Sequence, residues 1–217
     1  MASPSPIRPA ATPAGESAPE PCWDATPFGP RQSWPPSLAF AASLVLRSPL
    51  ATALYWGPDR LLIHNEPWTR LVGGEPAQGQ PAPAIANSLW PLVGPVVAEV
   101  EAKGRGAFLA EQPLSLLRDG MPEETYWNCH LLPIVGEDGG IAGVLNQANE
   151  VTKTVLVERR LSFQVRLADR LRGIHDPEEV KQATVELLGD YLGAARVGFA
   201  EIDEAQGIAS VQADWTR

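Results

Sequence analysis

The sequence is poor in cysteine, in basic residues and in long apolar runs. Cys22 and Cys129 are the two cysteines among 217 residues, and their wide separation argues against a disulfide framework or a zinc knuckle. The 17 Lys and Arg against 26 Asp and Glu give a net charge of −9, which disfavours a nucleic-acid binder or a partner of anionic membranes. The longest mostly apolar run, 38–46, is less than half a membrane span. Without an apolar signal region at the N-terminus, the sequence predicts a soluble, cytoplasmic protein.

Proline, by contrast, is in excess and unevenly placed. The 22 prolines concentrate at the N-terminal end of the chain. Residues 1–22 combine them with Ala and Ser, and we expect a disordered tail because too little apolar surface can be buried there. The stretch 23–36 instead holds two Trp and one Phe among turn residues, which predicts aromatic packing without regular structure. Ser37 is the predicted N-cap of a short helix that ends at Leu46.

Alternating apolar residues and turn signals predict five strands, with short helices between the second and the third. Asn65 is a good N-cap for the first of these helices. The turns between neighbouring strands are of hairpin type, so the sheet should be antiparallel. The expected fold class is therefore α+β, a five-stranded antiparallel sheet with helices on one face. The predicted strands cover 50–56, 60–64, 107–117, 125–135 and 141–150.

The residues that follow the fifth strand change to a heptad-like period. Apolar positions recur three and four residues apart, with charged residues outside this seam, which predicts a helix that pairs two copies in a parallel dimer. Gln164 is the polar member and is suited to fixing the register of the pair. The seam comprises Val157, Leu161, Gln164, Ala168 and Leu171. Asp176 and Pro177 then start a second helix, and two further strands are predicted after it.

Several local sequences within this order carry a family resemblance. They are WDATPFGP from Trp23, SWPPSL from Ser33, YWGPD from Tyr55, LIHNE from Leu62 and PEETY from Pro122. Together with Pro133-Ile134 and a closing strand over 140–152, they resemble a PAS domain of bacterial sensor histidine kinases. Residues 176–217 are similar to the start of a GAF domain. The expected organisation is a tail at 1–22, a PAS domain at 23–152, a signalling helix at 153–175 and an incomplete GAF domain at 176–217.

No catalytic machinery is visible in the chain. Glu123 and Glu124 are neighbours on a strand and point to opposite faces, and no nucleophile is paired with a base. The three histidines lack paired spacing, which disfavours a metal or haem site. We expect His64 near solvent at a strand end, and His130 on the sheet face opposite Cys129.

Cys129 raises the question of a flavin cofactor. LOV-type relatives of PAS domains carry their photoactive cysteine on a helix, within a Gly-Xaa-Asn-Cys-Arg type of motif. Here Asn128 and Cys129 fall on a predicted strand, which disfavours flavin photochemistry and favours a small buried strand residue.

One face of the sheet is a candidate small-molecule pocket, with a filled core as the alternative. The sequence does not tell which face of the strand 125–135 would line it. The candidate residues are Tyr55, Trp68, Trp90, Trp127 and Cys129.

The resemblance implies a regulatory module that senses a signal or holds a dimer and passes a change along the helix to an output domain, with a histidine kinase as the expected full-length protein. Three alternatives stay open: a ligand- or chromophore-binding photosensor, the regulatory part of a cyclic-dinucleotide enzyme, and a docking platform built on segment 23–36.

Overall fold

The computed structural model describes residues 22–72, 77–85, 89–118, 121–203 and 207–216. The predicted disordered tail lies outside these residues, apart from Cys22. The chain divides into two compact units, one ending at Thr152 and the other beginning at Lys153.

The first unit is built on a five-stranded antiparallel sheet, so the predicted α+β fold class is confirmed. The strands lie in the order β2-β1-β5-β4-β3, so β5, the last of the five in sequence, is the central strand of the sheet. β1 and β2 form a hairpin in which Gly57 has a positive φ, and β3 and β4 pair antiparallel from Arg118 opposite Met121 onward. The strands are β1 (Ala51–Trp56), β2 (Leu61–His64), β3 (Ala107–Arg118), β4 (Met121–Val135) and β5 (Ile141–Glu150).

Helices cover both faces of this sheet. The three between β2 and β3 gather on one face, as predicted, and pack on Ala53 and Tyr55 of β1. The N-terminal helix packs on Leu54, whose side chain points to the opposite face because strand residues alternate. The expectation of helices on one face thus holds for the helices between the strands and does not extend to the first one. The helices are α1 (Pro36–Arg47), α2 (Glu66–Val72), α3 (Ala82–Ile85) and α4 (Trp90–Lys103).

The start of α1 differs from the predicted Ser37 cap. Ser37 lies inside the first turn, where its backbone N–H and its hydroxyl each donate to the Glu137 carboxylate at 2.8 Å. Glu137 belongs to the turn between β4 and β5, and these two hydrogen bonds lower its pKa. The free N–H of Ser37 in the first turn of α1 is therefore satisfied by a residue 100 positions away, which a local capping rule does not anticipate.

Asn65 joins three elements of the first unit. Its Oδ1 accepts from the backbone N–H of Thr52 at 3.0 Å and of Trp68 at 3.1 Å, which confirms the predicted N-cap of α2. Its Nδ2 donates to the carbonyls of Leu50 at 2.7 Å and Ser48 at 3.0 Å. Asn65 is 5% exposed, and its two bonds to N–H groups are buried while its two bonds to carbonyls are partly buried; together they fix α2 against β1 and the end of α1.

The second unit contains most of α5 (Thr152–Leu171), then α6 (Pro177–Leu192), β6 (Arg196–Asp203) and β7 (Ile208–Thr216). Asp176 caps α6 by accepting from the Glu178 N–H, as predicted. The helix packs on β7 so closely that a Cβ at Gly189 would lie 2.2 Å from the Trp215 ring. Glycine at this position is therefore a packing requirement.

The Asn65 junction gives the first prediction. Asn65→Ala should lower the free energy of unfolding by about 2 to 4 kcal/mol, because it leaves the buried N–H groups of Thr52 and Trp68 without an acceptor and removes one donor from each of two partly buried carbonyls. Urea denaturation measures this as a lower midpoint with an unchanged slope. Gln32→Ala, at an exposed position of the same unit, is the control. A loss no larger than that of the control would contradict the role given to Asn65.

Candidate functional site

Four of the five predicted pocket residues are buried in one apolar cluster on the face that carries α2 to α4. Tyr55, Trp68, Trp127 and Cys129 are all at most 8% exposed, and Trp90 is partly buried against them. Trp127 and Cys129 belong to the cluster and His130 does not, which identifies the face of β4 that points inward. The structure therefore brings the five residues together. We keep their role in holding a ligand as a proposal.

A polar pair lies inside this apolar cluster. Asn146, on the central strand β5, donates from Nδ2 to the Tyr55 hydroxyl at 3.2 Å. Asn146 is 1% exposed, and its Oδ1 has no hydrogen-bond partner. The indole N–H of Trp68 is also buried without a partner. Native proteins rarely leave buried polar atoms unpaired, so each such atom calls for an explanation.

Sequence reasoning missed Asn146. The available signal was the amide side chain of Asn146 at a position whose neighbours two residues away, Val144 and Ala148, are apolar. Alternation put Asn146 on the same face as Val144 and Ala148, both buried, which marks it as a buried polar residue.

Burial also decides the protonation states in the cluster. Desolvation raises the pKa of Tyr55 above its usual value, and it raises the pKa of Cys129 to about 11. Both groups are therefore neutral near pH 7. Cys129 sits within β4, as predicted, and as a neutral thiol it is a poor nucleophile.

Trp90 forms one edge of the cluster and is held from three sides. Its ring meets Tyr55 edge to face, with centroids 5.5 Å apart, and the Arg60 guanidinium lies 5.7 Å above it. Arg60 is itself fixed by Glu101, with an N–O distance of 2.9 Å. A Cβ at Gly94 would lie 2.8 Å from the indole, so only glycine leaves room for it. These contacts set Trp90 in one position.

The histidines behave differently from one another. The prediction that His64 lies near solvent is wrong, since it is 2% exposed and covered by residues 77–80. His130 is on the outer face, as predicted, and its ring packs against that of Phe108 at a tilt of 34°, with centroids 4.6 Å apart. Within the described ranges, no three His, Cys, Asp or Glu side chains are grouped as metal ligands would be.

The predicted dimer seam lies on α5. Leu161 is 55% exposed and Val157 48% exposed, and Gln164 and Ala168 are exposed as well, while Leu171 is half-buried. On its other side α5 contacts α6, where the Phe163 and Tyr191 rings stack with centroids 4.4 Å apart. At 100° per residue, Phe163 points almost directly away from Leu161. The helix thus has one apolar stripe packed within the second unit and a second one exposed.

The aromatic segment 23–36 packs without regular structure apart from two single 3₁₀ turns, as predicted. Trp23 and Trp34 are buried, with ring centroids 5.0 Å apart, and Phe28 packs against both. Burial leaves these tryptophans little surface for a partner, which disfavours the docking-platform alternative.

Several solved structures similar to this chain are titled as PAS, LOV or sensor-kinase proteins. The sensory box sensor histidine kinase from Vibrio cholerae is 19% identical, with a TM-score of 0.37 over 54% of this chain and 90% of that one. The PAS domain of Bordetella pertussis BvgS is 18% identical, with a TM-score of 0.42 over 59% of this chain and 96% of that one. An RNA-binding light-oxygen-voltage receptor is 17% identical, with a TM-score of 0.44 over 65% and 41%. No protein-family model and no curated protein matches the chain.

Because these identities are below 25% and the TM-scores are below 0.5, we describe the fold from the sheet order given above and not from these neighbours. None of the helices in the described part of the chain has the length and apolar character of a membrane span.

The unpaired atoms of the cluster give the second prediction. Tyr55→Phe should cost about 1 to 2 kcal/mol of unfolding free energy, because the buried Asn146 amide then loses its remaining partner. Adding Asn146→Leu should recover most of this loss, since neither polar group is then buried. Urea denaturation of both single variants and the double variant measures the coupling. Asn149→Leu, on the same strand and half-buried, is the matched control, and simple additivity in the cycle would contradict the pairing.

Proposed function

We propose that this chain is the N-terminal sensory and dimerisation module of a bacterial signal-transduction protein, with a sensor histidine kinase as its full-length form. In this proposal 23–152 is a PAS domain, 153–175 is a signalling helix and 176–217 is the beginning of a GAF domain, after a tail at 1–22. The output domain, a kinase or another effector, lies beyond these residues.

The observation that carries the proposal is the direct connection of the central strand to a helix with an exposed apolar stripe. β5 ends at Glu150 and α5 begins at Thr152. The joint is held by β4, because the Val151 N–H donates to the Tyr126 carbonyl at 2.7 Å and the Tyr126 N–H donates to the Thr152 hydroxyl at 2.9 Å. A shift of β5 within the sheet would therefore move the start of α5.

The exposed stripe supports pairing with a second copy of the chain. In a heptad frame Thr154, Leu161 and Ala168 take the a positions, with Val157 and Gln164 at d. The same frame puts Lys153 at g and Glu158 at the following e, so a parallel dimer brings these opposite charges together twice. The polar Gln164 then favours one register of the pair. We infer a parallel homodimer through α5.

A ligand role for the inner cluster is supported by a different observation. Asn146 Oδ1 is a hydrogen-bond acceptor without a partner, surrounded by aromatic side chains. A small molecule with an apolar body and one donor group has the matching chemistry. In this second candidate function, binding at Asn146 acts on β5 and through it on α5.

The dimer proposal predicts that Leu161→Glu makes the chain monomeric. A charge at an a position faces its own copy across the seam and cannot be desolvated there without cost. Analytical ultracentrifugation should show a lower sedimentation coefficient for Leu161→Glu, while Ser162→Glu adds the same charge one position outside the seam and keeps the dimer. An unchanged coefficient for Leu161→Glu, or a monomeric parent chain, would contradict pairing through α5.

The ligand proposal predicts an added mass. Native mass spectrometry of freshly purified protein should show a stoichiometric increment per chain, and Asn146→Leu should lose it while Asn149→Leu retains it. The size of the increment and any absorbance of the protein would identify the ligand class, a chromophore included. A parent chain of bare polypeptide mass would contradict the second candidate function and leave the dimer proposal intact.

A further inference from the structure

Residues 77–82, here named the edge strap, run along the free edge of β2. β2 is the outermost strand on its side of the sheet. The Gly79 N–H donates to the Leu62 carbonyl at 2.7 Å, and the Leu62 N–H donates to the Gln80 carbonyl at 2.9 Å. The Ala82 N–H donates to the Arg60 carbonyl at 3.0 Å. The strap therefore satisfies backbone groups that an open sheet edge would present to other chains.

The turn of the strap also fits tightly against the N-terminal segment. Gly79 has φ of +77°, and a Cβ at this residue would lie 2.7 Å from the Thr26 Cβ. The strap thus has one defined position, set by β2 on one side and by Thr26 on the other.

His64, the last residue of β2, holds the first residues of the strap. Its Nε2 faces the Ala77 N–H at 3.0 Å, and its backbone N–H and carbonyl bond the Gln78 side-chain amide at 3.1 and 2.6 Å. Its Nδ1 lies 3.2 Å from the Asn65 carbonyl and 3.0 Å from the Thr69 hydroxyl. We assign the proton to Nδ1, because only this neutral tautomer leaves Nε2 free to accept from Ala77.

The imidazole is shielded from water and from compensating charge. Its ring lies 4.7 Å from that of Trp68, and burial lowers its pKa below the usual value. On α2, Glu66 and Arg70 are exposed and paired with each other.

Within the described part of the chain, β1 and the strap bring no charge to the ring either. Tyr55 on β1 is neutral because burial raises its pKa, and the strap itself contains no charged residue. Glu75, which precedes the strap in sequence, lies outside the described residues.

We propose that His64 is a proton-operated latch whose protonation releases the edge strap from β2. A proton on Nε2 puts one N–H directly opposite the N–H of Ala77, where two donors repel each other and no acceptor is at hand. The buried imidazolium also has no carboxylate partner among the described residues, so the bonded arrangement disfavours the charged form. Release exposes the edge of β2 and hydrates the Trp68 side of the inner cluster. The latch lies within the first unit and depends neither on the α5 dimer nor on a ligand.

The pH dependence has a definite sign. Burial in the folded chain lowers the pKa of His64. As the pH falls, the unfolded or released chain therefore binds a proton at a higher pH than the latched chain does. The latch is therefore fully effective above the unfolded pKa of about 6.5 and is lost progressively as the pH falls below it.

Amide hydrogen exchange measured by NMR on the full chain tests the latch. Between about pH 7.5 and pH 5, protection of the Gly79, Leu62 and Ala82 amides, corrected for intrinsic exchange, should fall at least about ten-fold. Amides of β5 such as Leu145 should keep theirs. The midpoint of the fall should coincide with the pKa of His64 read from its own ring proton.

Three variants separate the latch from other causes. His64→Gln retains an acceptor for Ala77 and does not titrate, so its strap protection should be independent of pH. Gln78→Ala removes two bonds that do not titrate, and should lower protection at both pH values while keeping the pH dependence. Glu75→Gln should behave as the parent chain does.

The proposal is overturned if the strap keeps its protection while His64 titrates, or if its fall has a different midpoint from the ring. It is also overturned if His64→Gln shows the same fall, or if Glu75→Gln abolishes it. Should His64→Gln fail to fold, the agreement of the two midpoints in the parent chain decides alone.

Discussion

The first unit depends on one buried side chain, Asn65, because three separate segments end within its reach. Residues Ser48 to Leu50 leave α1, Thr52 begins β1 and Trp68 belongs to the first turn of α2. Without Asn65 the N–H groups of Thr52 and Trp68 would be buried and unpaired, and the partly buried carbonyls of Ser48 and Leu50 would each lose a donor. A single amide satisfies all of them, since asparagine offers two donors and an acceptor with two lone pairs. The positions of α1 and α2 on opposite faces of the sheet are therefore coupled through one residue.

Two other buried polar side chains show how differently such groups can be used. Both ring nitrogens of His64 have hydrogen-bond partners, so protonation of the ring must break one of these contacts. Asn146 has a free acceptor, and a new partner can be added there without breaking anything. A side chain whose hydrogen-bonding atoms all have partners can respond to a proton, and a side chain with a free acceptor can respond to a ligand. Both lie on the face of the sheet that carries α2 to α4.

Local patterns in the sequence predicted the elements well and their partners less well. Alternation, turn residues and caps located the five strands, α2 and α6 to within a few residues, because each depends on neighbours in sequence. The cap of α1 by Glu137 and the burial of His64 depend on residues 100 and 13 positions away, and no local rule contains that information. The five residues grouped around Tyr55 lie together in the structure, but the sequence did not tell which face of β4 points inward, because alternation alone does not distinguish the two faces. Asn146 was missed because a single amide does not alter the apolar pattern of its strand.

The central place of β5 has a consequence for how the chain is made. Before residue 150 has been synthesised, the strands that exist form two separate hairpins, β1 with β2 and β3 with β4, and hairpins of this size are marginal in water. The sheet is completed when β5 inserts between them, pairing Ala51 with Ala148 across almost a hundred residues. Folding on the ribosome must therefore wait for the end of the unit, and contacts of such sequence separation make it slow. The helix that follows β5 is synthesised directly after the strand that closes the fold.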